Sequence, residues 1–163
     1  MRTAALFLSL IIAAPLAAAK EPTTPNAVER GRYLVATSGC NDCHTSGYIA
    51  RAGKVPEKDW LTGDSMSWSG PWGTTYAANL RLRLADMDLA TWKSFARTAV
   101  LRPPMPYWAL NQMSDGDLEA IWAFTRSLGK AGVPAPAALP PGVEAPLPAF
   151  TLHLPPAPPS PAR

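Results

Sequence analysis

Three residues capable of cofactor attachment and metal binding stand within five consecutive positions of the sequence. Cys40 and Cys43 are the only cysteines, and His44 follows directly after the second. Because three residues make nearly one helical turn, the two thiols are expected to project from the same side of the chain. Cysteines at this spacing followed by a histidine form the attachment signature of c-type haem. The pentapeptide therefore predicts one covalently bound haem c, with thioethers at both cysteines and His44 as a ligand of the iron.

Two other kinds of site use the same residue types and compete with this interpretation. A redox-active Cys-x-x-Cys pair of the thioredoxin type would need a strand before the motif and a βαβ frame around it. The residues before Cys40 instead have apolar positions at helical spacing. A zinc site would need further ligands, whereas the other histidine, His153, lies far away in a proline-rich region.

Met105 is predicted to be the second axial ligand, because its neighbours restrict the backbone. Pro104 and Pro106 flank it, so the chain cannot be helical there and must run extended. A stiff segment can present one side chain to a flat cofactor at a small entropic cost. Methionine opposite histidine raises the reduction potential of a haem iron. Of the other methionines, Met113 and Met66 are the alternatives for this position, whereas Met87 lies at the expected start of a helix.

Helices that could position these residues are predicted from the spacing of apolar side chains. One helix is expected over residues 26–39, a shorter one over 88–99, and a third over 114–129, where Ser114 resembles an N-cap. Gly31 indicates either a close approach of the helix that contains Trp122 or a merely tolerated glycine. The stretch 60–80 is rich in Gly, Ser and Trp and is interpreted as irregular loop. These features predict an all-α fold of three to four short helices and irregular loops around one haem.

The chain is expected to be organised in three parts. Residues 1–19 combine an early positive charge, a short apolar run and small residues before Lys20, which is typical of a secretory signal peptide. Residues 20–130 are expected to form the haem domain. Residues 131–163 hold eleven of the nineteen prolines and predict an extended, disordered tail. The expected location is therefore the periplasm, and no further segment is expected to span a membrane. The net charge of +3 is too small to indicate binding to nucleic acid.

Several segments together carry a family resemblance. They are Gly31-Arg32-Tyr33-Leu34, the haem motif at 40–44, GPWGTTYAANL at 70–80, Pro104-Met105-Pro106, and Met113-Ser114-Asp115 leading into AFTRSL at 123–128. Over about residues 26–130 the chain resembles a class I cytochrome c domain. More narrowly, it is similar to the cytochrome domains that accept electrons from bacterial periplasmic dehydrogenases of alcohols, sugars or aldehydes.

The resemblance implies a role for each matching position. Cys40 and Cys43 would be the thioether links, His44 the proximal ligand and Met105 the distal ligand. It also implies that the Pro56 carbonyl receives the histidine N–H. Tyr76 and Asn79 would lie near the haem edge or its propionates. None of these last three roles follows from residue spacing alone.

The function expected from the sequence is electron transfer without chemical conversion of a substrate. A mono-haem protein of this kind would pass single electrons from a dehydrogenase-type donor to a respiratory acceptor, and it would not be an enzyme. The alternative is a haem-based sensor or gas-binding module, in which Met105 is absent from the iron or easily displaced.

Overall fold

The computed structural model describes residues 25–153, so the predicted signal peptide at 1–19 and the end of the proline-rich region at 154–163 lie outside the described residues. Six α-helices and three short strands occur within this range. The helices are α1 (Pro25–Thr37), α2 (Cys40–His44), α3 (Leu80–Ala85), α4 (Leu89–Thr98), α5 (Tyr107–Gln112) and α6 (Asp115–Ser127). The strands are β1 (Ser67–Gly70), β2 (Gly73–Tyr76) and β3 (Ala149–Thr151).

The most extensive contact between elements is that of α1 with α6. Gly31 lies at their closest approach, because a Cβ atom built there would stand 1.9 Å from the Ala120 carbonyl oxygen and 2.7 Å from Phe124 Cβ. Val35 and Phe124 are buried in the core beside this crossing. The prediction that a second helix approaches Gly31 is therefore confirmed, and the helix is the one that contains Trp122.

The helices α4 and α6 both begin with side-chain caps, and the one of α6 is Ser114, as the sequence predicts. The Asp88 carboxylate accepts the Thr91 N–H at 2.7 Å, and the Ser114 hydroxyl accepts the Asp117 N–H at 3.1 Å. These bonds satisfy amide groups that a helix leaves without partners at its first turn. The Trp92 indole N–H donates to the Leu118 carbonyl at 2.8 Å and so joins the two helices.

Arg81 joins the end of α6 to the rest of the fold, a role that the sequence did not indicate. Its buried guanidinium donates to the carbonyl oxygens of Gly129 at 2.6 Å, Lys58 at 2.7 Å, and Leu128. The last carbonyls of a helix have no hydrogen-bond partners within it. A buried cation at this end can fill that role by donating to them, and its charge interacts favourably with the negative end of the helix dipole.

The interpretation of residues 60–80 as irregular loop is wrong for its second half. β1 and β2 form an antiparallel hairpin with Gly70 opposite Gly73, and β3 adds to β1 in parallel, giving the order β2–β1–β3. The strands are short and contain Ser, Thr and Gly, so they lack the apolar alternation by which strands are recognised. The described residues are therefore a mixture of helices and a small sheet, which the all-α prediction did not include.

Residue 130 is not the end of folded structure, in contrast to the expected disordered tail. Leu139 exchanges two backbone hydrogen bonds with Thr74, both of 3.0 Å, and β3 pairs with β1. Asn79 Nδ2 donates to the carbonyl of Ala131 at 2.8 Å. Residues 131–153 are largely extended, as their prolines require, but backbone pairing to the hairpin holds them in place. The proline-rich composition of this region indicates that it cannot form a core of its own, but it does not reveal that the region pairs with strands elsewhere in the chain.

No helix among the described residues has the length and apolar character that crossing a bilayer requires.

Candidate functional site

An apolar cavity of about 250 Å³ brings together all four residues that the sequence singled out. Cys40, Cys43 and His44 line it from α2, and Met105 lines it from the segment between α4 and α5. Most of the remaining lining is apolar and comes from β1, α3, α4, α5 and α6. It includes Trp68, Leu84, Trp92, Phe95, Leu110 and Ile121.

The motif helix is fixed at both ends. Gly39 precedes it with φ +75°, a left-handed conformation that glycine adopts without strain, and this sharp turn separates α2 from α1. After the helix, the Thr45 hydroxyl donates to Asn41 Oδ1 at 2.7 Å and accepts the Leu61 N–H at 2.8 Å. The Gly63 N–H donates to the His44 carbonyl, also at 2.8 Å. The segment 61–63 therefore fixes the backbone at the end of the motif helix, where His44 lies.

The imidazole of His44 is held through one ring nitrogen. Its Nδ1 lies 2.7 Å from the Ala78 carbonyl oxygen, and since a carbonyl can only accept, Nδ1 carries the hydrogen and donates it. The lone pair of the neutral ring is then on Nε2, the form in which a histidine binds a metal. Burial lowers the pKa of His44, and the bond to Ala78 opposes this effect only in part. The ring is accordingly neutral at neutral pH.

The acceptor of this hydrogen bond is Ala78 and not Pro56. The Pro56 carbonyl instead accepts the Asp59 N–H at 2.9 Å within the short turn 57–59. Nothing in a sequence marks which backbone carbonyl will meet a distant side chain, because every residue has one. The role implied for Pro56 by resemblance was therefore wrong.

The two cysteines are unsuited to thiol redox chemistry in their unmodified form. Both are free and half-buried. Burial, together with a smaller effect of Asp42, raises the pKa of Cys40 to about 11, and burial also raises the pKa of Cys43. Reactive thiols of the thioredoxin type have lowered pKa values, and helix α1 stands here where that fold would have a strand. Within residues 25–153 no group of three His, Cys, Asp or Glu side chains could hold a metal ion.

The four candidate methionines differ in their access to the cavity. Met105 and Met113 line it, and Met66 and Met87 do not. Met113 also packs against the hydrophobic core, whereas Met105 is not among the side chains that do so. Met105 therefore has no packing role in the core that would explain its orientation.

Tyr76 and Asn79, which the resemblance placed near the cofactor, do not line the cavity. Their neighbours Thr75, Ala77 and Ala78 do. Asn79 is buried and serves instead as the N-cap of α3, accepting the Leu82 N–H at 3.1 Å. His153, the other histidine, is exposed and does not line the cavity.

Several residues of the site were not found by sequence reasoning. Trp68 of β1 and Arg83 of α3 line the cavity, and the Arg83 guanidinium stands over the Phe95 ring at 4.8 Å. Three polar atoms of the hairpin are buried without a hydrogen-bond partner in the described part of the chain: Ser67 Oγ, Trp72 Nε1 and Thr75 Oγ1. Buried polar groups without partners are costly, and of these three residues only Thr75 lines the cavity, so its hydroxyl is where a polar group of a ligand would be stabilised. The abundance of Trp, Ser and Gly in residues 60–80 was the one feature of the sequence that could have pointed to these site residues.

Comparison with known proteins finds two distant relatives. The chain is 29% identical to a subunit of the nicotinate dehydrogenase of Pseudomonas putida over 78% of its own length, which covers 12% of that protein. It is 30% identical to the fructose dehydrogenase cytochrome subunit of Gluconobacter japonicus over 64% of its own length, which covers 22% of that protein. The chain thus spans less than a quarter of either relative. No protein-family model and no solved structure matches it.

Proposed function

We propose that this chain is a periplasmic mono-haem c-type cytochrome that passes single electrons from a dehydrogenase to a respiratory acceptor. In this proposal Cys40 and Cys43 bind the haem through thioethers, and His44 and Met105 are its axial ligands. The observation that carries the proposal is the apolar cavity lined by all four side chains. The similarity to a cytochrome subunit of a dehydrogenase supports the same conclusion.

The donor set fits a haem better than it fits a bare metal ion. The cavity offers one neutral imidazole and one thioether, which together are a ligand pair of haem iron. Its apolar side chains suit a flat, mostly apolar macrocycle. The Thr75 hydroxyl on the same lining, which has no hydrogen-bond partner in the described part of the chain, suits a group that also carries polar substituents.

The haem, when bound, supplies an iron that takes one electron from a reduced redox protein and gives it to an oxidised one, with no covalent bond made or broken. The protein holds the imidazole in the required tautomer through Ala78. It keeps the thioether on a proline-flanked segment, where the Tyr107 N–H donates to the Met105 carbonyl at 2.9 Å. Leu84 and Ile121 are buried and give the cavity an apolar lining, which would favour the less charged, reduced state of a bound haem.

The electron donor is proposed from the relatives, and the location from the first residues of the sequence. Both relatives are named as dehydrogenase subunits, so a dehydrogenase is the donor class that we propose. Residues 1–19 have the pattern of an export signal, which would direct the chain to the periplasm. Substrate oxidation belongs to the partner in this scheme, so the chain itself is an electron carrier rather than an enzyme.

The decisive experiment is the intact mass of the chain after export from a bacterium equipped for cytochrome c maturation. We expect the mass of one haem added to the polypeptide, and a low-spin visible spectrum. A Cys40→Ala, Cys43→Ala double variant made in the same cells is the matched control and should carry no covalent haem. A wild-type chain without added haem would overturn the proposal, whatever its redox behaviour.

A further inference from the structure

The proline-rich C-terminal segment is attached to the start of α3 at one place and to the hairpin beside the cavity at two. Asn79 Nδ2 donates to the carbonyls of Ala131 and Val133, at 2.8 and 3.2 Å. Leu139 and Thr74 exchange backbone hydrogen bonds. At the end of the described chain, the Ser67 N–H donates to Pro148 at 3.1 Å, and the Leu152 N–H donates to Ser69 at 2.8 Å. The segment is therefore held by hydrogen bonds to the start of α3 and to both strands of the hairpin.

The hairpin is shaped to receive this segment. Gly73 has φ +94°, and a Cβ atom built on it would stand 2.2 Å from the Leu139 carbonyl oxygen. A residue with a side chain would force the C-terminal segment away from the turn between β1 and β2. Glycine is thus required at position 73 for two reasons, the positive φ of the turn and the close contact with Leu139.

Trp68 connects the C-terminal segment to the cavity. It is on β1, lines the cavity, and is paired in register with Phe150 on β3. The two rings stack with centroids 4.6 Å apart and an interplanar angle of 23°. Stacking of this kind restricts the rotation of the Trp68 indole. The position of the indole therefore depends on Phe150.

We propose that Phe150 is a positioning residue for the cofactor site, which acts by holding Trp68 as one wall of the cavity. This inference rests on the proposed function, because it concerns the environment of the bound haem. Without the ring of Phe150, the Trp68 indole would turn away and water would enter beside the cofactor. A wetter environment stabilises the more charged, oxidised state, so the midpoint reduction potential would fall.

The test compares Phe150→Ala with Phe150→Tyr and Leu152→Ala in the haem-loaded protein. Phe150 is 44% exposed and Leu152 is 52% exposed, so both alanine variants remove apolar surface of comparable exposure from the same segment. Phe150→Leu is measured as well, because it keeps apolar bulk but has no ring and folds even if the alanine variant does not. The readouts are haem content by mass, the spectrum of the methionine ligand, and the midpoint potential.

We expect Phe150→Ala and Phe150→Leu to keep one haem and the methionine-ligated spectrum while the midpoint potential shifts downward. Phe150→Tyr keeps an aromatic ring and should keep the wild-type midpoint potential, and Leu152→Ala should also leave that potential unchanged. An unchanged potential in both ring-deleted variants would overturn this inference and leave the proposed function intact. An equal shift in Leu152→Ala would also overturn it, since the effect would then belong to the segment as a whole. A wild-type chain without haem would overturn both proposals.

Discussion

Two methionines reach the same cavity, and what surrounds each one distinguishes their roles. Met113 packs with core side chains next to α5 and α6, which is the ordinary use of a flexible apolar residue. Met105 lines the cavity from a segment flanked by Pro104 and Pro106 and does not pack against the core. A thioether that does not pack against the core is available to a ligand, so Met105 is the methionine that we propose as the axial ligand.

Exchanging each methionine for leucine tests this assignment with two substitutions of the same kind. Met105→Leu should leave the haem attached, open the sixth position of the iron to carbon monoxide, and lower the midpoint potential by at least tens of millivolts, since axial ligands tune haem potentials over about 0.8 V. Met113→Leu conserves volume and should change neither property, at a stability cost below about 1.5 kcal/mol. The visible spectrum and carbon monoxide binding measure the outcome. A methionine-ligated spectrum that survives in Met105→Leu but is lost in Met113→Leu would reverse the assignment.

Residues of the site differ in how far the sequence could identify them. Cys40, Cys43 and His44 carry their chemistry in side chains at fixed local spacing, so they could be predicted. The Ala78 carbonyl that holds His44 could not, because it depends on a contact across 34 positions and on no particular side chain. Trp68 and Phe150 meet only when β3 pairs with β1, and neither has a local signature.

At the scale of elements, the crossing of α1 and α6 depends on one missing side chain. Gly31 is in the middle of α1, where glycine ordinarily destabilises a helix by about 1 kcal/mol relative to alanine. The close approach of the Ala120 carbonyl explains why glycine stands there nonetheless. Because that neighbour is backbone, it cannot turn aside as a flexible side chain would.

Gly31→Ala is therefore expected to destabilise the protein, although alanine is the better helix former. The two helices must separate to admit the new methyl group, at a cost of about 1–3 kcal/mol or more. Gly116→Ala in the first turn of α6 is the matched control, since its Cβ would meet only Ser114 Oγ at 4.0 Å. That control should be neutral or stabilising by up to about 1 kcal/mol. Denaturant unfolding of both haem-loaded variants measures the difference, and equal stabilities would contradict the role given to the crossing.

The elements themselves were predictable to the extent that their signals are local. The helices α1, α4 and α6 have apolar faces and recognisable ends within a dozen residues, and all three predictions were confirmed. β1 and β2 were missed because Ser, Thr and Gly form their backbone pairs without an apolar alternation. β3 was missed because its partner is about 80 residues away and proline-rich composition indicates only extended chain.

At the scale of the whole molecule, Asn79 joins the helical body to the C-terminal segment. Its side-chain oxygen caps α3 by accepting the Leu82 N–H, and its side-chain nitrogen donates to Ala131 and Val133. The residue is only 4% exposed, so water does not readily replace these bonds. One amide therefore satisfies a helix end and anchors the chain that continues towards β3.

Asn79→Ala should accordingly cost more stability than the loss of a helix cap alone. The cap is worth about 1 kcal/mol, and each of the two part-buried hydrogen bonds to Ala131 and Val133 adds roughly 0.5–1.5 kcal/mol, so we expect a total loss of at least about 2 kcal/mol. Asn79→Ser keeps a hydroxyl that can cap α3 but is too short to reach both carbonyls, and it should recover only part of the loss. Asp88→Ala removes the exposed cap of α4 and nothing else, so it serves as the matched control with a smaller effect. Thermal unfolding of the haem-loaded variants gives the order of stability. If the Asn79→Ala protein is no less stable than the Asp88→Ala protein, the C-terminal segment is not anchored to the helical body through this amide.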